Sequence, residues 1–251
     1  MKFKDVRIGL IKILIDLNEK LFFERLMRDF YKKSEKINIV IDVGANKGQS
    51  IDFFLTINPE CKIYAIEPNP ELFSLLVKKY SGNANIKIFN FGISDKVGDK
   101  LFFENVLDYT SSFEELNMNS EYLKKKAKIL GVDKDAIITK SYSVNVTTLS
   151  EFIKMCGFNE NIDVLKIDTE GHEYYCLEGL FLDKSEAKIK YIQLENHNDD
   201  MYFNRIKFSQ INELLNKNYF FECKKIKHGY GDFDEVIFSC KTSPKNFLKK
   251  D

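Results

Sequence analysis

The chain has no net charge to offer a polyanion: across its 251 residues 38 Lys and Arg stand against 38 Asp and Glu. A surface so balanced is a poor platform for a phosphate backbone, which argues against nucleic acid as a principal partner. Its five cysteines, Cys61, Cys156, Cys176, Cys223 and Cys240, make no close pair and no metal-type spacing. An odd, scattered set in a domain of this size reads as free thiols in a reducing compartment. No stretch approaches the roughly 20 apolar residues that span a bilayer. The N-terminus also lacks the basic, apolar and small-residue order of a secretory signal, so the expectation is a soluble cytoplasmic protein with no transmembrane segment. There is no internal repeat and no low-complexity tract.

What is present is a core-forming chain, 44% hydrophobic and 30% charged. Residues 6 to about 31 place Val6, Leu10, Ile13, Leu14, Leu17, Leu21 and Phe22 at helical spacing. Residues 1–35 therefore read as an amphipathic arm, with 36–245 as the main domain. The arm could lie on its own domain, across a homodimer or on a membrane; acidic Asp16, Glu19 and Glu24 spoil a purely basic face. Short apolar runs at 37–43, 61–67, 86–92, 162–168 and 189–196 alternate with helical stretches at 49–57, 70–80, from about 173, and near 205–217. Continuous apolar strands separated by helices predict an α/β fold whose parallel strands are covered on both faces. The tail, with "YFFECKKI" and "DEVIFSC" about a Gly-rich turn, predicts an antiparallel hairpin. Residues 104–147 interrupt the alternation and read as a substrate-side insertion or lid, with a lysine-rich helical run from Ser120.

In sheets of this kind ligands lie beyond the carboxyl ends of the strands. After the first strand comes Asp42-Val43-Gly44-Ala45-Asn46-Lys47-Gly48. Its glycines let the backbone turn tightly and bare its N–H groups, but they are four residues apart and lack the third glycine of a dinucleotide fingerprint. The preceding carboxylate suits an ammonium group and repels a diphosphate. Glu67, at the end of the second strand, is placed to accept both hydroxyls of a ribose. A ribose and an ammonium without a phosphate describe S-adenosylmethionine.

"DVGANKGQS", "IEPNP", "GISDKVGD", "TTLSEFI" and "IDVLKIDTEGHE" resemble, in the same order, the motifs of FkbM-type S-adenosylmethionine-dependent methyltransferases over roughly residues 39–200. The resemblance implies a Rossmann-like class I methyltransferase fold: a seven-stranded, mostly parallel sheet. It implies that Asp42, Gly44, Asn46 and Gly48 line the methionine and ribose portion, that Glu67 holds the ribose, and that Ile93, Ser94 and Asp95 border the adenine. It also implies O-methylation of a sugar, nucleotide-linked or bound for a surface polysaccharide, or of another small metabolite, and leaves S-adenosylhomocysteine as the product. A nicotinamide-dependent oxidoreductase, a non-catalytic binding protein and a macromolecular methyltransferase are the competing readings. The glycine spacing, the intact cofactor loop, and the neutral charge with no "NPPY" motif weigh against them in turn.

A sugar hydroxyl is a weak nucleophile that a positioned base helps to deprotonate. The candidates gather beyond the fourth and fifth strands: Asp168, also a cofactor contact, with Glu170, His172 and Glu173, then Glu195, Asn196 and His197. Each has a plain structural alternative: a helix cap for His172, a first-turn acid for Glu173, a surface loop residue for His197. Asp168, Glu195 and Asn196 could alternatively hold a divalent cation such as Mg²⁺, and Lys166, two residues before Asp168, could neutralise its carboxylate.

Overall fold

The first strand, β1 (Ile39–Val43), is buried along its whole length although its fourth residue is an aspartate. Around it a computed structural model describes residues 24–106, 111–131, 133, 137–158, 161–183, 188–197, 199–203, 206–227 and 233–241. The main sheet also contains β2 (Lys62–Ile66), β3 (Ile86–Phe89), β7 (Ile162–Ile167), β8 (Ile189–His197), β9 (Phe220–Lys227) and β10 (Phe233–Cys240), in the order β3-β2-β1-β7-β8-β10-β9. The first five of that order run parallel. β10 is antiparallel to β8 and pairs with β9 as a hairpin. The expected seven-stranded, mostly parallel sheet and C-terminal hairpin are both present.

Helices α2 (Gln49–Ile57), α3 (Pro70–Tyr80), α5 (Leu149–Cys156), α6 (Glu173–Phe181) and α7 (Phe208–Lys217) follow the sheet strands or lead into them. α3 starts where it does because Pro70 fits the first turn and the Asn69 side chain accepts from the Glu71 and Leu72 N–H groups. Strand alternation sorts the core into two layers. Ile39, Ile41 and Val43 join Leu165, Ile167 and Ile192 on one face. Val40, Val164 and Ile237 meet Ile51 and Phe54 on the other.

Of the N-terminal arm, residues 1–23 lie outside the described residues. The remainder is helix α1 (Glu24–Lys33), which buries Met27 and Tyr31 in the second core layer of its own domain.

One sequence expectation needs correcting. The third apolar run is not one strand: Gly92–Ile93 leaves the main sheet as β4. The interruption is also more ordered than its composition suggests. β5 (Gly98–Asn105) and β6 (Ile138–Thr147) pair antiparallel in a separate sheet, β4-β6-β5, with α4 (Glu121–Leu130) between them. β6 exposes Thr139, Ser141, Ser143 and Asn145 at alternate positions and β5 opens on exposed Gly98 and Asp99, so the unbroken apolar signal of a fully buried strand is missing.

Candidate functional site

The β1–α2 turn is held by its backbone. Gly44 and Ala45 donate to the Ile66 carbonyl at 3.0 and 3.1 Å, and Asp168 donates to the Val43 carbonyl at 3.0 Å. This brings three strand ends together. Gly44 has φ +84°, and a Cβ there would lie 1.9 Å from the Asp168 carbonyl oxygen, so the closeness of the turn to β7 requires glycine. Gly48, also at φ +84°, would place a Cβ 2.3 Å from the Tyr80 hydroxyl, which donates to the Gly48 carbonyl. Because that obstacle is a side-chain tip, Gly48→Ala should cost about 1–3 kcal/mol of left-handed strain and displaced phenol, without loss of the fold. Urea unfolding measures this, and an unchanged midpoint would refute the strained-turn account.

Asp42 is fully buried, and neither carboxylate oxygen makes a hydrogen bond of ordinary geometry. Burial pushes its carboxyl up to about 6; the Lys166 ammonium and the nearby Ser50 hydroxyl pull the other way, and Asp168 adds to the rise. The Asn46 Oδ1 in the same turn is likewise buried and unpaired, on a residue with φ +47°. Across from them Glu67 is buried, accepting from the Asn46 N–H through Oε2 and the Asn69 N–H through Oε1, both at 2.8 Å. Orphaned acceptors around a glycine turn, with an anchored carboxylate opposite, fit a ligand that brings an ammonium and paired hydroxyls.

Beyond β7, Lys166 donates to Asp168 Oδ2 at 2.6 Å. Burial opposes its charge, but Asp168, Asp42 and Glu235 outweigh that and hold its pKa well above the ordinary lysine value. Glu170 adopts φ +55° at the head of the turn, and its Oε2 accepts from the Tyr202 hydroxyl at 3.1 Å. Single carboxylate oxygens of Asp168, Glu170 and Glu195 lie within 4.8 Å of one another. Glu195 and Asn196 also line a cavity of about 30 Å³ walled by Tyr174, Tyr202 and Ile206.

His172 is placed differently. It is fully buried, with Nδ1 2.6 Å from Glu114 Oε1 and Nε2 3.0 Å from Ser94 Oγ, and it stacks on Tyr175. It precedes α6 but makes no side-chain cap. Glu173, the first residue of α6, ties the preceding turn to the helix, accepting from the Thr169 and Gly171 N–H groups at 3.0 and 3.1 Å. His197 ends β8 opposite Phe233, and its side chain lies outside the described residues. Ile93 and Ser94 are buried at the end of β4, where Ser94 donates to Asp95 at 2.8 Å.

Sequence reasoning missed what the insertion contributes. Ser112 donates to the carbonyls of Thr169 and Glu170 at 3.1 and 2.8 Å, Glu114 engages His172, and Leu116 bridges to Tyr202. Residues 112–116 thus pack over the acidic turn. Only the polar "SSFEE" run hinted at this, and it carries no periodic signal.

A family model described as the methyltransferase FkbM domain matches residues 42–224. The chain is 22% identical over 177 residues to the 2-O-methyltransferase NoeI of Sinorhizobium fredii, covering 70% of each protein. It is 26% identical over 178 residues to the AMB antimetabolite synthetase AmbE of Pseudomonas aeruginosa, covering 63% of this chain and 8% of AmbE. Similar solved structures include an S-adenosylmethionine-dependent methyltransferase from Aquifex aeolicus, with TM-score 0.47, 14% identity, and 92% and 97% of the two chains covered. Another is Aeropyrum pernix fibrillarin in complex with natively bound S-adenosyl-L-methionine, with TM-score 0.44, 11% identity, and 85% and 74% coverage.

Proposed function

Because the chain belongs to the FkbM methyltransferase family, we propose that this enzyme moves a methyl group from S-adenosylmethionine to a hydroxyl oxygen of a sugar, nucleotide-linked or destined for a surface polysaccharide. The observation that carries the cofactor is Asp42, a fully buried carboxylate with no hydrogen bond of ordinary geometry beside a glycine turn. An ammonium is the group that would satisfy it. The oxygen acceptor has support from NoeI, whose name describes a 2-O-methyltransferase; the sugar rests on the family resemblance.

In this reading Asp42 takes the ammonium, Glu67 the ribose hydroxyls, and Ile93 with Ser94 the adenine edge. The bound cofactor supplies an electrophilic methyl on a sulfonium. The chain's own task is to hold an acceptor oxygen at about 3 Å in line with it and to take up the hydroxyl proton. Glu170 is the base, fixed by Tyr202 and by the hold of Ser112 on its carbonyl. Asp168, paired with Lys166, serves both cofactor and acceptor sides. His172 positions the turn, since both its nitrogens are engaged. His197 remains a candidate from its place at the end of β8.

A second reading has one observation in its favour. The Asp168, Glu170 and Glu195 oxygens are close enough together to share a divalent cation. Asp168 already receives a lysine ammonium, which would compete with it. Chelator that abolishes turnover, with Mg²⁺ or Mn²⁺ restoring it, would establish the cation; full turnover in chelator would exclude it.

Calorimetry with S-adenosylhomocysteine tests the cofactor. Glu67→Ala should weaken binding about tenfold or more, since it removes the ribose contact and frees two backbone N–H groups of the loop. Tight binding of a nicotinamide dinucleotide, with none of S-adenosylhomocysteine, would defeat the assignment. A mass-spectrometric screen of sugar nucleotides and free glycans tests the acceptor, and methylation confined to another metabolite or a macromolecule would replace it.

A further inference from the structure

On the sheet face beneath α1, polar side chains occupy positions where a core would normally be apolar. Asp42, Lys166 and Gln193 stand side by side in register across β1, β7 and β8, and all three are buried. Glu235 of β10 is buried on the same face, two residues before Ile237, the register partner of Gln193. Tyr31 of α1 reaches down to this row: its hydroxyl donates to Gln193 Oε1 at 2.6 Å. Gln193 Nε2 then donates to Glu235 Oε1. Lys166, the register partner of Gln193, donates to Asp168, and the Glu235 charge adds to those of Asp168 and Asp42 in favouring its ammonium.

The order of these contacts gives them a direction. An amide has one donor end and one acceptor end. The Glu235 carboxylate only accepts, so it takes the donor end of Gln193, and the amide oxygen that is left faces Tyr31 and is held by its hydroxyl. Without that hydroxyl the Gln193 oxygen is left buried with no donor from α1, and the amide is anchored only at its Glu235 end, so its hold on that carboxylate loosens. Lysine carries its charge on a flexible four-carbon stem, so where Lys166 points depends on the charges around it.

We infer that Tyr31, Gln193 and Glu235 are positioning residues for methyl transfer, orienting the Lys166 ammonium and through it Asp168 at the carboxyl edge of the sheet. Tyr31 and Glu235 both fall outside residues 42–224, the span matched by the family model. Helix α1 and the last strand are on this account working parts of the site. The inference rests on the proposed function for what the site does, but not for the relay itself.

Two readouts test it. In ligand-free protein, ¹H–¹⁵N correlation of the lysine ammonium groups, with Lys166 assigned by its loss in Lys166→Met, should show a protected signal. Tyr31→Phe and Glu235→Gln should each shift or broaden that signal. Tyr31→Phe keeps the ring packing on Phe30, Phe53, Phe54 and Tyr191, and Arg25→Gln on the exposed side of α1 should leave the signal in place. By calorimetry, each of the two relay variants should weaken S-adenosylhomocysteine binding about three- to tenfold, and the double variant no more than Glu235→Gln alone, because both act through one lysine. An unmoved Lys166 signal in Tyr31→Phe, or additive losses in the double variant, would overturn the relay. Absence of S-adenosylhomocysteine binding by the wild type would overturn the cofactor reading instead, with the ammonium signal still deciding the relay.

Discussion

Asp42→Asn should make the ligand-free protein more stable at pH 8 while lowering its affinity for S-adenosylhomocysteine at least tenfold. The carboxyl titrates at about 6 in the fold against an ordinary value of 3.8. The native state therefore holds this proton more tightly than the unfolded chain does. Stability falls as pH rises from about 4 to about 6, and the penalty is complete above that. A displacement of this size corresponds to about 3 kcal/mol. Asparagine removes the charge but leaves a buried amide and takes one carboxylate from Lys166, so the net gain should be about 1–2 kcal/mol, or a rise of a few degrees in Tm. Near pH 4 most of the gain should be gone, because the wild-type carboxyl is then protonated in the fold and is close to its midpoint in the unfolded chain. Thermal melts at pH 4 and pH 8 measure it. A variant less stable than wild type at pH 8 would refute the unpaired-carboxylate account. Undiminished affinity would remove Asp42 from the ammonium role.

That one residue can weaken the fold and serve the site explains how far the chain could be read unaided. The parallel strands were legible because β1 and β7 are dominated by Ile, Val and Leu, as strands buried on both faces are, while β2 and β8 add shorter apolar sets, Ile63, Ala65 and Ile66, then Ile189, Ile192 and Leu194. Asp42 was legible for the opposite reason, as a charge at the end of a buried strand just before a glycine. α3 was readable from its Asn-Pro start. The three-stranded β4-β6-β5 sheet was not. Lys140, Ser141 and Ser143 of β6 face solvent, and its packing depends on Phe102 and Phe113, which no local pattern links to it. For the same reason the histidine beyond β7 could be located but not interpreted. Its partners Glu114 and Ser94 lie 58 and 78 residues away in sequence. A carboxylate in an irregular loop does not announce that it will be buried against an imidazole.

Replacing the two candidates in the acidic turn should therefore give different phenotypes. Glu170→Gln keeps the shape of the side chain and an acceptor for the Tyr202 hydroxyl, but it cannot take a proton. Turnover of a sugar acceptor found in the screen should fall about a hundredfold or more, with S-adenosylhomocysteine affinity within threefold of wild type. His172→Gln should act mainly on the fold. It leaves the Glu114 carboxylate buried without its ring partner, which should cost about 3 kcal/mol. Whatever turnover it loses should be recovered at lower temperature as the insertion settles back over the turn. Asp168→Asn should damage both cofactor affinity and turnover, because its backbone and Gly44 are in contact and its carboxylate holds Lys166. Single-turnover rates, equilibrium melts and calorimetry on the three variants separate these effects. A hundredfold loss in His172→Gln at full stability, with Glu170→Gln near wild type, would move the base from the carboxylate to the imidazole. Unchanged turnover in both, with and without chelator, would exclude both residues from the proton transfer.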